Sequence, residues 1–185
     1  MGELINYLTN FIGQFGYFSG FLLVFLESMI PVLPLSVFVA INVFTYGNIA
    51  GFIVSYIGTV IGCVTAYFLC LKFNDYFEKK YKSNTKVKEI KKKIRDINVP
   101  ILVIILAIPF TPAFAINIAA GLTRYDFKKY LIALIIGKIP MIYFWAFIGA
   151  SLKESLTDIS ILARIAAMLI ITYLVSKVVN KLINK

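Results

Sequence analysis

The sequence contains four long stretches that are almost free of charged residues: 18–71, 97–123, 130–152 and 159–179. A helix that crosses the hydrocarbon core of a bilayer takes about 20 consecutive apolar residues. Hydrophobic residues make up 60% of the chain and charged residues 15%, whereas soluble globular proteins carry about 25% charged residues. We therefore predict a single all-α integral membrane domain over residues 1–185.

Basic residues outnumber acidic residues by 19 to 9, which gives a net charge of +10. They cluster beside the apolar stretches, so we expect an anionic membrane surface as the partner rather than nucleic acid. Ten of them lie in segment 72–97, which the positive-inside tendency places in the cytoplasm. Apolar residues recur there at helical intervals and predict an amphipathic helix on the inner leaflet, with a solvated charged loop as the alternative.

Two apolar segments, 18–46 and 99–123, each carry a pair of prolines near the middle. If both crossed the bilayer as kinked helices, Arg124, Lys128 and Lys129 would face the outside. If both are re-entrant hairpins that return to their starting face, every basic cluster falls on the cytoplasmic side. The legs hold about a dozen residues, roughly 18 Å, which is short of a core about 30 Å thick. We therefore predict re-entrant hairpins, with proline-kinked spanning helices as the alternative.

These arguments predict two oppositely oriented re-entrant helical hairpins and about three spanning helices, together with amphipathic interfacial helices. The predicted segments follow one another in this order: an interfacial helix 1–17, hairpin 18–46, spanning helix 49–71, basic cytoplasmic segment 72–97, hairpin 99–123, and spanning helices 130–152 and 159–179. The C-terminus is then cytoplasmic. Because Glu3 precedes every Lys and Arg, no cleavable signal is expected.

The proline pairs also indicate an internal repeat. Pro31 and Pro34, like Pro109 and Pro112, stand in the pattern I-P-x-x-P, and a glycine follows each pattern 27 or 28 positions on, at 58 or 137. The two units are inverted relative to each other in the predicted topology, which is a recurring plan of membrane transporters with a site near the midplane. A proline frees a backbone carbonyl that lipid cannot satisfy, so such breaks are typical of protein interiors or watery cavities.

Five residues are candidates for binding substrate or protons. Glu27 is a carboxylate inside an apolar segment, which makes it a functional candidate unless it lies shallow at the outer surface. Lys138 either snorkels to the cytoplasmic interface or points inward as an anion ligand or as the counter-charge of Glu27. Asn42 and Asn117 can bond freed carbonyls or contact substrate. Arg124 can bind a lipid phosphate or simply follow the topology rule.

Several chemistries are not expected from this sequence. It contains no His, and Cys63 and Cys70 are seven residues apart on one predicted helix, roughly 10 Å along its axis. We therefore expect no disulfide between them, no zinc site and no cofactor. Acidic residues are nearly absent from the apolar stretches, so an enzymatic site is not expected either.

The stretches FLESMIPVLPL and IPFTPAFAINIAAGLTRYDFKKYLIALIIGKIP resemble the DedA superfamily, in its SNARE-associated Golgi protein (VTT-domain) branch. The resemblance runs from about residue 25 to 149 and implies opposed re-entrant hairpins and movement of undecaprenyl phosphate or phospholipids between leaflets. The positions that match the family pattern are Glu27, Pro31, Pro34, Pro109, Pro112, Asn117 and Gly121. Arginines that the family usually has near the second proline pair are missing, and Leu106, Ala107 and Pro112 occupy those places.

The leading hypothesis is a lipid translocase of a bacterial plasma membrane. Glu27 would titrate or pair with a charge, Lys138 would bind the anion, and the gate would comprise the four hairpin prolines with Gly121. The expected partners are membrane lipids, and a homo-oligomer is compatible with this hypothesis. The alternatives are a proton-coupled carrier of a small solute and a non-transporting protein that organises the membrane.

Overall fold

The computed structural model describes residues 15–30, 35–81, 91–109, 113–154 and 170. All regular structure in these ranges is helical, as the sequence predicts. The helices with both ends in these ranges are, in order, α1 Tyr17–Met29, α2 Leu35–Tyr46, α3 Asn48–Tyr81, α4 Val99–Ala107, α5 Ala113–Leu122 and α6 Phe127–Glu154. A helical turn also covers residues 91–95. The predicted helices over 1–17 and 159–179 lie almost wholly outside the described residues, and so do Pro31, Pro34 and Pro112.

Helices α3 and α6 are long and apolar enough to cross a membrane. Their apolar parts are Asn48–Asn74 and Phe127–Ala150, with 27 and 24 residues, or about 40 and 36 Å at 1.5 Å per residue. Helix α3 continues to Tyr81, ten residues beyond the predicted span, because no Gly or Pro interrupts the sequence there. Helix α6 starts at Phe127 because the Asp126 carboxylate accepts the Lys129 backbone N–H at 2.8 Å and caps it.

The other four helices are short and form two pairs. Helices α1 and α2 have 13 and 12 residues, and α4 and α5 have 9 and 10. In the first pair, the start of α1 meets the end of α2, because the Tyr46 hydroxyl donates to the Gly16 carbonyl. In the second pair, the start of α4 meets the end of α5, because the Tyr125 hydroxyl donates to the Ile97 carbonyl at 2.7 Å.

Glycines on the long helices let the first helix of each pair approach closely. A Cβ added at Gly58 or Gly62 of α3 would lie 2.9 or 2.6 Å from a carbonyl oxygen of α1. A Cβ added at Gly137 of α6 would lie 2.8 Å from the Val103 carbonyl oxygen of α4. Small residues at such contacts are how helices pack where lipid surrounds them. Thus α1 packs on α3, and α4 packs on α6.

The second helix of each pair packs across the molecule on the other long helix. Helix α2 contacts α6 as well as α3, with Ala40 against Gly149, and α5 contacts α3, with Gly121 against the Tyr67 carbonyl. Two apolar clusters result, one around Leu106 and Leu134 and the other around Val39 and Ile142. The long helices α3 and α6 contact each other and contribute residues to both clusters.

One end of the molecule carries a dense set of basic residues, which we call the basic end: Lys91, Lys92, Lys93, Arg95, Arg124, Lys128 and Lys129. Contacts join the elements there. The Lys91 ammonium donates to the Asn74 side-chain oxygen at 3.1 Å, and the Arg95 guanidinium donates twice to the Thr123 carbonyl, at 3.1 and 2.8 Å. A guanidinium at the end of α5 also complements the partial negative charge of the helix C-terminus.

Candidate functional site

Lys138 is fully buried and lies at the midpoint of the apolar part of α6. Along the axis, about 17 Å separates it from either end of that stretch, which is farther than a lysine side chain can reach. Its Nζ atom donates to the Met141 sulfur at 3.2 Å. Of the two orientations that the sequence leaves open, the structure has the inward one, with the side chain enclosed by the protein.

Glu27 lies in the last turn of α1 and is partly buried. Its neighbour Ser28 is buried against Gly62, which is near the midpoint of the apolar part of α3. The carboxylate of Glu27 interacts electrostatically with the ammonium of Lys138. The structure therefore brings the acid of the first half and the buried base of the second half to the same depth.

Proline and tyrosine shape the helix beside Lys138. Pro140 stands inside α6 and has no N–H to bond the carbonyl of Ile136, one turn earlier. The Tyr56 hydroxyl of α3 donates to the neighbouring Ile135 carbonyl at 2.8 Å. Side chains that bond backbone carbonyls near a break keep it satisfied where water is scarce. The stretch GKIP thus combines a close-packing glycine, a buried lysine and a proline that removes one backbone hydrogen bond from a continuous helix.

Asn42 is a buried amide on α2 that links three helices. Its Nδ2 atom donates to the Gly20 carbonyl of α1 at 3.2 Å and to the Ser55 hydroxyl of α3 at 2.9 Å. Its Oδ1 atom is buried without a hydrogen-bond partner among the described residues. A Cβ added at Gly20 would lie 2.4 Å from that oxygen, so glycine is required opposite it. The contacts of Asn42 are structural, and its free acceptor faces α1.

Asn117 is the corresponding buried amide of the second half, on α5. Its Oδ1 atom accepts a hydrogen bond from the Tyr130 hydroxyl at 2.7 Å, and that hydroxyl is also 3.2 Å from the Cys63 carbonyl of α3. The Nδ2 atom of Asn117 is buried without a partner in the described part of the chain, and so is the Thr59 hydroxyl of α3. Buried polar atoms of this kind are candidates for contact with a ligand or water.

Arg124 follows α5 at the basic end and is exposed. It adopts a positive φ of 53°, and the backbone N–H groups of Arg124 and Tyr125 donate to Gly121 and Ala120 at 3.1 and 2.9 Å. Burial, and to a lesser degree the Asp126 carboxylate, raise the pKa of Tyr125 above its usual value. The Tyr125 hydroxyl is therefore protonated and available to donate to Ile97.

The predicted gate residues are not all at the breaks between short helices. Pro109 is partly buried directly after α4, whereas Pro31, Pro34 and Pro112 are outside the described residues. Gly121 lies in the last turn of α5, where it packs against Tyr67 and Cys70 of α3. It is therefore at the end of α5 opposite the break, and close helix packing is what requires a glycine there.

Sequence reasoning missed the residues that bond the candidates. Ser55, Tyr56 and Tyr130 hold the buried amides and the interrupted helix, and Arg95 caps α5. One serine and two tyrosines inside apolar spans were a usable signal, because a hydroxyl needs a partner once it is buried in a membrane helix. Their particular partners are 13 to 79 residues away, and residue spacing alone does not identify such pairs.

The site thus offers one buried cation, one nearby carboxylate and amide groups with unused hydrogen-bonding capacity. An ammonium in an apolar interior binds an anion strongly because little water competes for it. The carboxylate of Glu27 is the acidic group that interacts with this ammonium in the structure. This arrangement suits reversible binding of a phosphate or carboxylate group, or of a proton.

The long apolar helices and the short apolar helix pairs beside them indicate the class of helical membrane proteins. A model of the VTT domain matches residues 30–151, and the chain therefore belongs to the VTT-domain family, which confirms its resemblance to the DedA superfamily. Uncharacterized membrane protein YhjE of Bacillus subtilis (strain 168) is 30% identical over 164 residues, which cover 86% of this chain and 77% of YhjE. Uncharacterized protein YqeD of the same organism is 24% identical over 151 residues, which cover 80% of this chain and 73% of YqeD. No solved structure matches significantly.

Proposed function

We propose that the protein is a lipid translocase, which lets a phosphate-bearing head group pass between leaflets while the hydrocarbon tail stays in the bilayer. The observation that carries this proposal is the fully buried Lys138 at the midpoint of α6, within electrostatic reach of Glu27. A cation retained at that depth is expensive in an apolar medium and is a functional group by default. Phosphate lipids such as undecaprenyl phosphate or a phospholipid are the substrates that fit an ammonium ligand.

The proposed pathway lies between two oppositely oriented re-entrant hairpins, α1–α2 and α4–α5. Three observations support re-entrance. In each pair, the start of the first helix meets the end of the second helix: Gly16 contacts Tyr46 in one pair, and Ile97 contacts Tyr125 in the other. The helices are about 14 to 20 Å long, short of a core about 30 Å thick. Helix α1 contacts Gly62 close to its C-terminal end, near the midpoint of the apolar part of α3.

An inverted repeat fits the same contacts. The unit α1–α2–α3 and the unit α4–α5–α6 each pack their first helix on a glycine of their own long helix, and each second helix contacts the other long helix. Inverted repeats with interrupted helices place binding sites near the midplane, between the repeats. Lys138 and Glu27, one from each unit, occupy that position in the proposed arrangement.

Lys138 is the proposed anion ligand. Between transport events the Glu27 carboxylate is the proposed counter-charge of the Lys138 ammonium. Buried Leu106 and partly buried Ala107 stand where the family usually has an arginine, so Lys138 takes over that anion-binding role in the proposal. In the proposal, Asn42 joins the helices of the first unit by hydrogen bonds and Asn117 joins those of the second. The prolines of the two breaks form the gate. The proposed location is a bacterial plasma membrane, with the basic end in the cytoplasm and no catalytic activity.

The proposal is tested with the full chain reconstituted into vesicles that contain a head-group-labelled phospholipid. We expect the wild type to accelerate movement of the label between leaflets and Lys138→Met to lower that rate about tenfold or more. Lys128→Met is the matched control, because Lys128 is an exposed lysine in the first turn of the same helix. It should retain the wild-type rate.

Two results would contradict the proposal. One is a rate that does not depend on the protein, which would favour a membrane-organising role. The other is an equal rate for wild type and Lys138→Met, which would remove the proposed anion ligand from the pathway. Proton uptake that requires a small solute, in vesicles where lipid does not move, would favour the solute carrier instead.

A further inference from the structure

Arg124 occupies a backbone position that normally belongs to glycine. The residue follows the end of α5 with φ 53°, and the pair of hydrogen bonds from Tyr125 N–H to Ala120 and from Arg124 N–H to Gly121 forms a Schellman turn. Glycine is the usual residue at this point because a Cβ crowds the following carbonyl in the left-handed region. Unfavourable backbone geometry of this kind is often kept for the sake of a functional side chain.

A half-open groove of about 210 Å³ begins beside this turn and runs between α4 and α5. Ile94, Ile97 and Tyr125 line it at the basic end, and Ile105, Ala115 and Ile116 line it farther along the two helices. The residues from Ile97 to Ile105 extend about 12 Å along a helix axis. Because its walls are almost wholly apolar, the groove is suited to a hydrocarbon chain and not to a polar solute.

The mouth of the groove is strongly basic. Arg95 lies between Ile94 and Ile97 in sequence, and its guanidinium holds the Thr123 carbonyl immediately before Arg124. Both arginines are exposed, as are Lys92, Lys93, Lys128 and Lys129 at the same end. Two acids, Asp96 and Asp126, lie beside these basic residues in sequence, and Asp126 caps α6. An apolar groove with an excess of positive charge at one end matches an anionic lipid, whose chain and phosphate it can bind together.

We propose that this groove is a binding site for a resident anionic phospholipid, with one acyl chain between α4 and α5 and the phosphate at Arg95 and Arg124. The lipid comes from the leaflet that the basic end faces. It remains bound, in contrast to the lipid proposed to pass Lys138, and its binding does not depend on transport. An arginine in a glycine position fits this role, because Arg124 directly precedes Tyr125, which lines the groove at the basic end.

The site is tested by native mass spectrometry of the full chain in detergent, titrated with phosphatidylglycerol or with phosphatidylcholine of the same chain length. We expect tighter binding of phosphatidylglycerol. Arg124→Gly should weaken that binding about fivefold, the effect of one basic residue near a lipid surface. Lys128→Gln is the matched control, since it removes an exposed charge of the same end that does not adjoin the groove, and should change the affinity by less than about twofold.

A melting-temperature measurement on Arg124→Gly and two further variants, Ala115→Leu and Lys138→Met, keep the test decisive. Arg124→Gly suits the left-handed turn, so its melting temperature without added lipid should equal or exceed that of the wild type. Ala115→Leu fills the groove at an exposed position and should weaken both lipids. Lys138→Met should leave retention unchanged even if transport is lost. Wild-type affinity in Arg124→Gly or Ala115→Leu, or an equal loss in Lys128→Gln, would overturn the site.

Discussion

In both halves of the described region a short helix packs on glycines of a long helix, but the charged residue near that contact is acidic in the first half and basic in the second. In residues 15–81, α1 approaches Gly58 and Gly62 of α3, and in residues 91–154, α4 approaches Gly137 of α6. The first half places Glu27 near that contact and the second half places Lys138 there. The comparison teaches that close helix packing builds both halves, whereas the acid–base pair exists only because the two halves contact each other.

The two ends of the molecule differ as well. The groove at the basic end is flanked by arginines, whereas a second cavity, of about 330 Å³, opens between the start of α3 and the later turns of α6, lined by Asn48, Ile49, Phe52, Tyr143, Ala146, Phe147 and Ala150. None of these lining residues is charged. The two ends therefore offer lipid head groups very different surroundings, even though both cavities have mainly apolar walls.

The largest effect should come from blocking the close helix contacts. Gly137→Leu puts a Cβ 2.8 Å from both the Leu106 Cβ and the Val103 carbonyl, and Gly58→Leu does the same against the Phe21 carbonyl at 2.9 Å. Each should lower the free energy of unfolding by about 3 kcal/mol, since neither helix can yield without losing its neighbours. Thermal unfolding in detergent measures this, with the exposed Ile132→Leu as control. If only one glycine mattered, the similarity of the halves would be superficial.

The next effect concerns the buried amide of the second half. Tyr130→Phe removes the hydroxyl that donates to Asn117, whose other amide atom already has no partner among the described residues. Leaving the whole amide unsatisfied should cost about 2 kcal/mol of stability. Denaturation of the variant measures the loss. Unchanged stability would mean that water or lipid reaches Asn117, which would make that residue part of the pathway.

Removing the acid of the first half should impair transport without unfolding the protein. Glu27→Gln keeps the size of the side chain and removes the charge that faces Lys138, so lipid movement in vesicles should slow about tenfold, equivalent to about 1.4 kcal/mol. Glu27→Asp retains the charge and should recover part of the rate. Equal rates for both variants would show that the charge of Glu27 is not what transport needs.

The smallest effect is expected at the buried amide of the first half. Ser55→Ala removes one acceptor of Asn42, but the Asn42 Nδ2 atom still donates to the Gly20 carbonyl. The stability should therefore fall by only about 0.5–1 kcal/mol, less than for Tyr130→Phe. The same denaturation series measures both variants. A larger loss for Ser55→Ala would reverse the ranking of the two asparagines.

The sequence predicts the helical class, the long apolar helices and the family because these depend on composition, apolar runs and proline patterns. It left two orientations of Lys138 open, because the burial of a side chain on α6 depends on how the other helices pack against it. The contact of Gly121 with the Tyr67 carbonyl is likewise not readable from the sequence, because it joins residues 54 positions apart.

The contacts between the halves were beyond sequence reasoning for a different reason. Arg95 with Thr123 and Tyr56 with Ile135 join residues 28 and 79 positions apart, and their pairing depends on how the helices cross. The meeting of Glu27 and Lys138 was one of several options in the sequence, because apolar runs alone do not show which charged side chains lie near a membrane surface. Packing of α1 on α3 and of α4 on α6 removes that freedom.

The central claim is that Lys138 recognises the phosphate-bearing head group, and head-group selectivity tests it most directly. In vesicles, the rates of movement of an anionic and a zwitterionic phospholipid with the same chains are compared for wild type and Lys138→Gln. The account predicts that the wild type moves the anionic lipid faster and that Lys138→Gln brings the ratio of the two rates close to one. A ratio that is the same in both proteins would contradict it.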